Sequence, residues 1–175
     1  MTVEAHAKIN LTLEVLGTRP DGYHELRSVV APIPLHDDVA FSAAEGDSVS
    51  VEGCDGVPPE KNLARRAALL LREASGCRKG VRIAIVKRIP MGAGLGGGSA
   101  DAAAVLTGLD RFWNLGFPVE RLMALGAEIG SDVPALVHGG VVLMEGRGEK
   151  VSPCAGFPTP PWEKLVVYTP PVFSS

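Results

Sequence analysis

The stretch PMGAGLGGGSADAA, residues 90–103, places five glycines in fourteen residues and then turns into alanine-rich sequence. Glycine gives up more backbone freedom on ordering than any other residue, so such a density marks a chain path or a close approach that a side chain would block. Upstream, Val81, Ile83 and Ile85 alternate with Arg82 and Ala84 in a strand that reaches Lys87 and stops before Pro90. Downstream, Ser99 opens a helix carrying Ala102, Ala103, Leu106 and Leu109 on its apolar side. A strand, a glycine turn and a helix start together form an anion site, because the first-turn N–H groups lack partners within the helix and the helix dipole puts partial positive charge there. Phosphate is the natural guest. A turn that only lets the helix pack closely on the sheet is the plainer reading of the same glycines.

Two common phosphate loops fit poorly. Gly92, Gly94 and Gly97 spell GxGxxG, but the acidic residue that a dinucleotide fold needs about twenty residues later would fall near 115–120, where the chain has a loop and a helix start. No Gly-Lys-Ser or Gly-Lys-Thr follows the glycines, so the Walker A form fails as well. What remains is a phosphate loop of another type.

Working outward, Ile9, Leu11, Leu13 and Val15 alternate with polar residues as in a half-buried strand, with Lys8 and Asn10 on its polar face. Val29–Leu35, Asp38–Ser42 and Ser48–Glu52 read as further short strands after the turn-rich GTRPDGYHEL. Asn62 caps a helix ending near Gly76, Pro118 begins another, and Val141–Met144 and Leu165–Tyr168 read as strands. Strands first, then helices mixed with strands, give an α+β domain and not a regular βαβ succession.

At 175 residues the chain suits one domain with a sizeable core. With 46% apolar residues and a formal net charge of −3 it carries no nucleic-acid type of basic surface. Cys54, Cys77 and Cys154 are odd in number and outside any CxxC pattern, which predicts neither a zinc site nor a disulfide framework and points to a reducing cytoplasm. The N-terminal segment lacks the basic and continuous apolar regions of a signal peptide, and no apolar run is long enough to span a membrane. His6, His36 and His138 are not grouped with carboxylates or cysteines at metal-ligand spacing and read as structural.

PMGAGLGGGSADAA, together with AKINLTLEVLGTRPDGYHEL (7–26) and IGSDVPALVHGG (129–140), resembles in order and spacing the GHMP kinase superfamily, named for galactokinase, homoserine kinase, mevalonate kinase and phosphomevalonate kinase. Within it, the resemblance is to the kinases of the non-mevalonate isoprenoid pathway that phosphorylate the 2-hydroxyl of a cytidine diphosphate-linked polyol. It implies the ribosomal protein S5 domain 2-like fold, a mixed sheet with helices on one face. It also implies an ATP-binding catalytic domain over residues 1–153, with 154–175 a proline-rich connection to a C-terminal lobe. Trp162, Phe173 and the nearby prolines are then the seam with that lobe.

ATP and Mg2+ are the implied cofactors. Pro90, Met91, Gly92, Ala93, Gly94, Leu95, Gly96, Gly97, Gly98, Ser99 and Ala100 form the implied phosphate loop, with the Ser99 hydroxyl offered to phosphate or magnesium and no other metal ligand assigned. Lys87 and Asn62 take positions near the nucleotide in the family, while by themselves they read equally as a solvated strand-end lysine and a helix cap. Asp132, which alone reads as a helix N-cap before Val-Pro, becomes by resemblance the base for the acceptor hydroxyl. Lys8, alone a surface lysine, becomes its neighbour and charge stabiliser. Asn10, Tyr23 and His24 are the implied substrate contacts, the last two as a stack and a hydrogen bond to a cytosine. The expected partner is a small molecule only, with neither nucleic acid nor membrane, and the expected state a monomer or weak homodimer in a bacterial cytoplasm. A nucleotide-binding module without catalysis, or another small-molecule kinase of the superfamily, is the alternative.

Overall fold

The computed structural model describes residues 1–19, 22 and 24–154. Along them run β1 (Thr2–Asn10), β2 (Glu14–Thr18), β3 (His24–Ala44), β4 (Val49–Glu52), α1 (Leu63–Ser75), β5 (Gly80–Val86), α2 (Gly97–Trp113), α3 (Val119–Ile129), α4 (Val133–His138), β6 (Val142–Gly146) and β7 (Lys150–Pro153). The expected α+β class is what is found, with one mixed seven-stranded sheet.

β3 is the spine of that sheet. Its second half pairs antiparallel with β5 from Asp38 to Ala44, and its first half with β6 from Leu26 to Val30. Its other edge takes β1 between Val30 and Ala40 and β2 between His24 and Arg27. β4 lies parallel to β5, and β7 closes the sheet beyond β6. Because side chains alternate along a strand, Asp37, Val39 and Phe41 point into the buried layer while His36, Asp38 and Ala40 point the other way. The helices cover the first face only. α2 runs through the middle of that layer, and the burial of Ala100, Ala102, Ala103, Ala104, Val105, Leu106 and Leu109 leaves it apolar on most sides, as a central helix must be.

Three expectations change. The strand predicted across Ile9–Val15 breaks after Asn10, because Thr12 competes with the ladder: its hydroxyl accepts from Val29 N at 3.0 Å and its carbonyl accepts from Ser28 Oγ at 2.6 Å. The two strands predicted at 29–35 and 38–42 are one strand of 21 residues. Its Pro32 and Pro34, which cannot donate to a ladder, fall at a register shift where β1 passes from His6 opposite His36 to Lys8 opposite Pro32. Finally, α2 begins at Gly97, two residues before Ser99; a short helix, α4, does follow Asp132 and the Val-Pro pair, while strand β7 has no separate signal in the sequence. Leu165–Tyr168, Trp162 and Phe173 lie outside the described residues.

A buried charge cluster ties the sheet to the glycine stretch. Asp37, fully buried, accepts from Lys87 Nζ and from the backbone N–H groups of Arg88 and Ile89, the last at 2.8 Å. Lys87 Nζ also donates to Asp101 Oδ2 on α2 at 2.7 Å. One lysine thus bridges β3, the end of β5 and the first turns of α2. Burial by itself would raise the Asp37 carboxyl, but the Lys87 hydrogen bond and the two amides outweigh it and hold it below 3.8. Asp101, also buried and with Oδ1 unpartnered among the described residues, is pushed by burial up to about 6 against the pull of Lys87.

The folded state holds the Asp101 proton more tightly than the unfolded chain, so the stability this group contributes is full below 3.8 and fades as pH rises through about 6. Asp37 behaves oppositely, its contribution being present above 3.8 and lost as pH falls below it. Asp101→Asn removes the first effect: its urea midpoint relative to the native chain should climb between pH 4 and 7, and a falling or flat difference would contradict the assignment. A packing prediction concerns Gly108, where a Cβ would stand 2.5 Å from two ring atoms of Phe41. Gly108→Val should cost about 1–3 kcal/mol by overpacking in spite of better helix propensity, read as a lower urea midpoint at unchanged slope.

Candidate active site

The register shift in β1 decides the site. Alternation would leave Lys8 on the open face, but the bulge after His6 buries both Ala7 and Lys8, and Lys8 is only 6% exposed. The expected surface lysine is therefore a buried one. Its Nζ donates to Asn10 Oδ1 at 2.6 Å and lies 3.3 Å from Asp132 Oδ2. Asn10 is held in turn: its Nδ2 donates to Ser28 Oγ at 2.6 Å, and Ser28 donates to the Thr12 carbonyl. Ser28, fully buried, is not among the expected residues, since a serine in a strand carries no motif and its role arises only from the β1–β3 pairing.

Asp132 stands at the N-terminus of α4 but does not cap it. Its backbone is already helical and its side chain makes no cap hydrogen bond, so the carboxylate is turned toward Lys8 instead. The cap reading is thereby corrected, and the expected neighbourhood of Lys8 and Asp132 is what the tertiary fold produces.

The glycine stretch closes over this pair. Gly92, Gly94 and Gly96 all have φ near +70°, a region that L side chains rarely adopt, and a Cβ on Gly96 would meet Lys8 Cγ at 3.0 Å and lie 3.7 Å from Asp132 Oδ2. Lys8 N donates to the Leu95 carbonyl at 3.0 Å, which pins the stretch to β1. The glycines therefore admit two charged side chains at backbone distance. Gly96 also sits at the N-cap of α2 without a side-chain cap, so the N–H groups of Gly97, Gly98 and Ser99 face outward from the helix start. The Ser99 hydroxyl lies close to Gly130, just ahead of Asp132. Leu95 and Ala100 place their side chains in the core, while Pro90 and Met91 are exposed and Ala93 is half-buried.

Beside the helix start opens a cavity of about 310 Å3, lined among others by Cys54, Val57, Asn62, Leu63, Lys87 and Asp101. Asn62 caps α1, its Oδ1 accepting from Arg65 N at 3.1 Å, and lines this cavity as well, so the two readings of it coexist. Lys87 is not a solvated strand end: it is committed to Asp37 and Asp101, and these carboxylates raise its pKa although burial works the other way. Burial first, and then the nearby Asp101 charge, push the Cys54 thiol up, which leaves it protonated and unreactive. Asp101 itself, which lines the cavity and keeps one buried oxygen unpartnered among the described residues, is a residue that sequence reasoning misses, because its neighbours come from distant elements.

His24 begins β3 opposite Thr18 and is exposed; at about 3.3 Å per residue it stands roughly 13 Å along the strand from Ser28. Tyr23 lies outside the described residues. His6 and His36, expected to be isolated, are brought side by side with Glu4 by the same strand pairing, which corrects the reading of them as ungrouped. Among the described residues no helix is long and apolar enough to cross a membrane.

Comparison with known proteins agrees with this geometry. The 4-diphosphocytidyl-2-C-methyl-D-erythritol kinase of Pelotomaculum thermopropionicum is 53% identical over 98% of this chain and 59% of its own length. The enzyme of that name from Symbiobacterium thermophilum is 50% identical over 98% of this chain and 60% of its own. A crystal structure of 4-(cytidine 5′-diphospho)-2C-methyl-D-erythritol kinase superposes with a TM-score of 0.75 at 42% identity, over 87% of this chain and 55% of that one. The chain thus spans somewhat over half the length of the relatives it matches. Residues 62–140, from the cap of α1 past the end of α4, match the GHMP kinases N terminal domain, and with the fold and the close relatives in agreement this chain carries the N-terminal domain of the GHMP kinase family.

Proposed function

We propose that this domain holds ATP and the reacting groups of a kinase that transfers the γ-phosphoryl group to the 2-hydroxyl of 4-diphosphocytidyl-2-C-methyl-D-erythritol. The observation that carries the reading is the buried Lys8 ammonium 3.3 Å from the Asp132 carboxylate, under Gly96 and beside the uncapped start of α2. Phosphoryl transfer asks for cradled donor phosphates, an aligned and deprotonated acceptor, and compensation of developing charge. Each requirement has a group here.

The outward N–H groups of Gly97, Gly98 and Ser99 suit the phosphates. The adjoining cavity suits the adenosine, with apolar walls at Val57 and Leu63 and a polar point at Asn62, and its volume falls at the lower end of small-molecule pockets, about 300 Å3. The Ser99 hydroxyl would be the protein oxygen offered to magnesium, a hard cation that would neutralise phosphate charge when bound. Asp132 accepts the proton of the acceptor hydroxyl as the new O–P bond forms. Lys8 has three N–H donors: one is spent on Asn10, one faces Asp132, and the third is free for the transferring oxygens. Asn10, Tyr23 and His24 are assigned to the acceptor, and residues 154–175 to the connection with a second lobe that completes the cleft.

A coupled assay of ADP release with ATP, Mg2+ and the cytidine diphosphate-linked acceptor tests the reading. Asp132→Asn should lower kcat by about 100-fold or more with little change in either KM, because the lost contact is made in the transition state. Near-native kcat in that variant would remove Asp132 as base. Binding of ATP without turnover in the native protein would leave a nucleotide-binding module.

A further inference from the structure

On the sheet face away from the helices, β1 and β3 set four polar side chains in a square. His6 lies opposite His36 and Glu4 opposite Asp38. His6 Nε2 is 3.1 Å from Glu4 Oε2, and His36 Nε2 is 3.9 Å from Glu4 Oε1 and 3.5 Å from Asp38 Oδ1. One ligand atom each from Glu4, His6 and His36 lies within 4.8 Å of the others.

The remaining ring nitrogens fix what these atoms are. His6 Nδ1 is 3.2 Å from the Ile33 carbonyl and His36 Nδ1 is 2.8 Å from the Pro34 carbonyl. A carbonyl oxygen only accepts, so each Nδ1 carries the hydrogen, and in a neutral ring Nε2 is then a bare lone pair. Two lone pairs aimed at carboxylate oxygens repel them unless positive charge lies between. One dication satisfies both lone pairs, and an Nδ1–H given to a backbone carbonyl is the support that metal-bound histidines use.

We propose that Glu4, His6 and His36 form a site for a divalent transition metal of the zinc class, on the open face of the sheet and distinct from the Lys8–Asp132 centre. Two imidazoles and a carboxylate are a zinc ligand set, with a fourth position left to water, whereas Mg2+ prefers oxygen ligands and keeps its waters. Bonds of about 2.0–2.2 Å in a tetrahedron put ligand atoms roughly 3.4 Å apart; one atom from each of the three residues already lies within 4.8 Å of the others, so small side-chain rotations close the set around an ion. Glu4 and His6 are open to solvent, which gives the ion its entry. Once bound, the ion staples β1 to β3 immediately before the bulge that buries Lys8.

The test uses chelator-stripped protein without a histidine tag, titrated with Zn2+ by calorimetry and with Co2+ by visible absorption. One Zn2+ per chain, a tetrahedral Co2+ spectrum displaced by Zn2+ and unmoved by excess Mg2+, and a raised thermal midpoint are expected. His6→Gln and His36→Gln should each weaken binding by about 10-fold or more, while His138→Gln leaves it unchanged. Should His6→Gln fail to fold, His36→Gln carries the comparison. Lack of saturable binding, equal loss in His138→Gln, or a thiolate band showing that the cysteines hold the Co2+ would overturn the site.

Discussion

The functional groups of this domain take their places from the register of one strand. β3 is paired along both edges, and a slip by one residue would exchange its two faces. Asp37 would leave the buried layer and release the backbone after β5, Ser28 would let go of Asn10, and His36 would no longer meet His6. The register is fixed by burial, since Val39 and Phe41 pack under α2 while their neighbours are half-exposed. The bulge at Pro32 and Pro34 is the local exception, and it turns a lysine out of the alternating pattern and into the site.

Two lysines, Lys8 buried and Lys87 half-buried, do different work for the same physical reason. A desolvated ammonium is costly unless paired and hydrogen-bonded, and each here finds carboxylate. Lys87 is surrounded by Asp37 and Asp101, which makes it a clamp between sheet and helix. Lys8 faces one partly open carboxylate and one amide, which leaves capacity for a ligand. The contrast is one of spare hydrogen-bonding capacity: the lysine beside the cavity is held by two carboxylates, the one under the glycines by one carboxylate and one amide.

The glycine stretch answers to space more than to flexibility. Gly96 brings backbone against Lys8 and Asp132, and Gly97 lies against Ile89 and the Lys87 ammonium, so side chains there would push apart the groups that the stretch assembles. The start of α2 and the Asp132 carboxylate are thereby held in one place, although the whole of α2 and α3 lies between them along the chain.

Much of this was legible in the sequence because it is local. The alternation of β5, the apolar spacing of α1 and α2, the Asn62 cap and the glycine stretch all depend on residues within a few positions of one another, and motif order pointed to Lys8 and Asp132. Tertiary structure decided the rest, because it concerns pairs that only the sheet brings together. It broke the first strand at Thr12, fused two predicted strands across a pair of prolines, buried Lys8, withdrew Lys87 from solvent and withheld Asp132 from its cap. Ser28, Asp101 and the His6–His36–Glu4 cluster carry no signal in sequence spacing, for their chemistry consists of distances between strands and helices far apart along the chain.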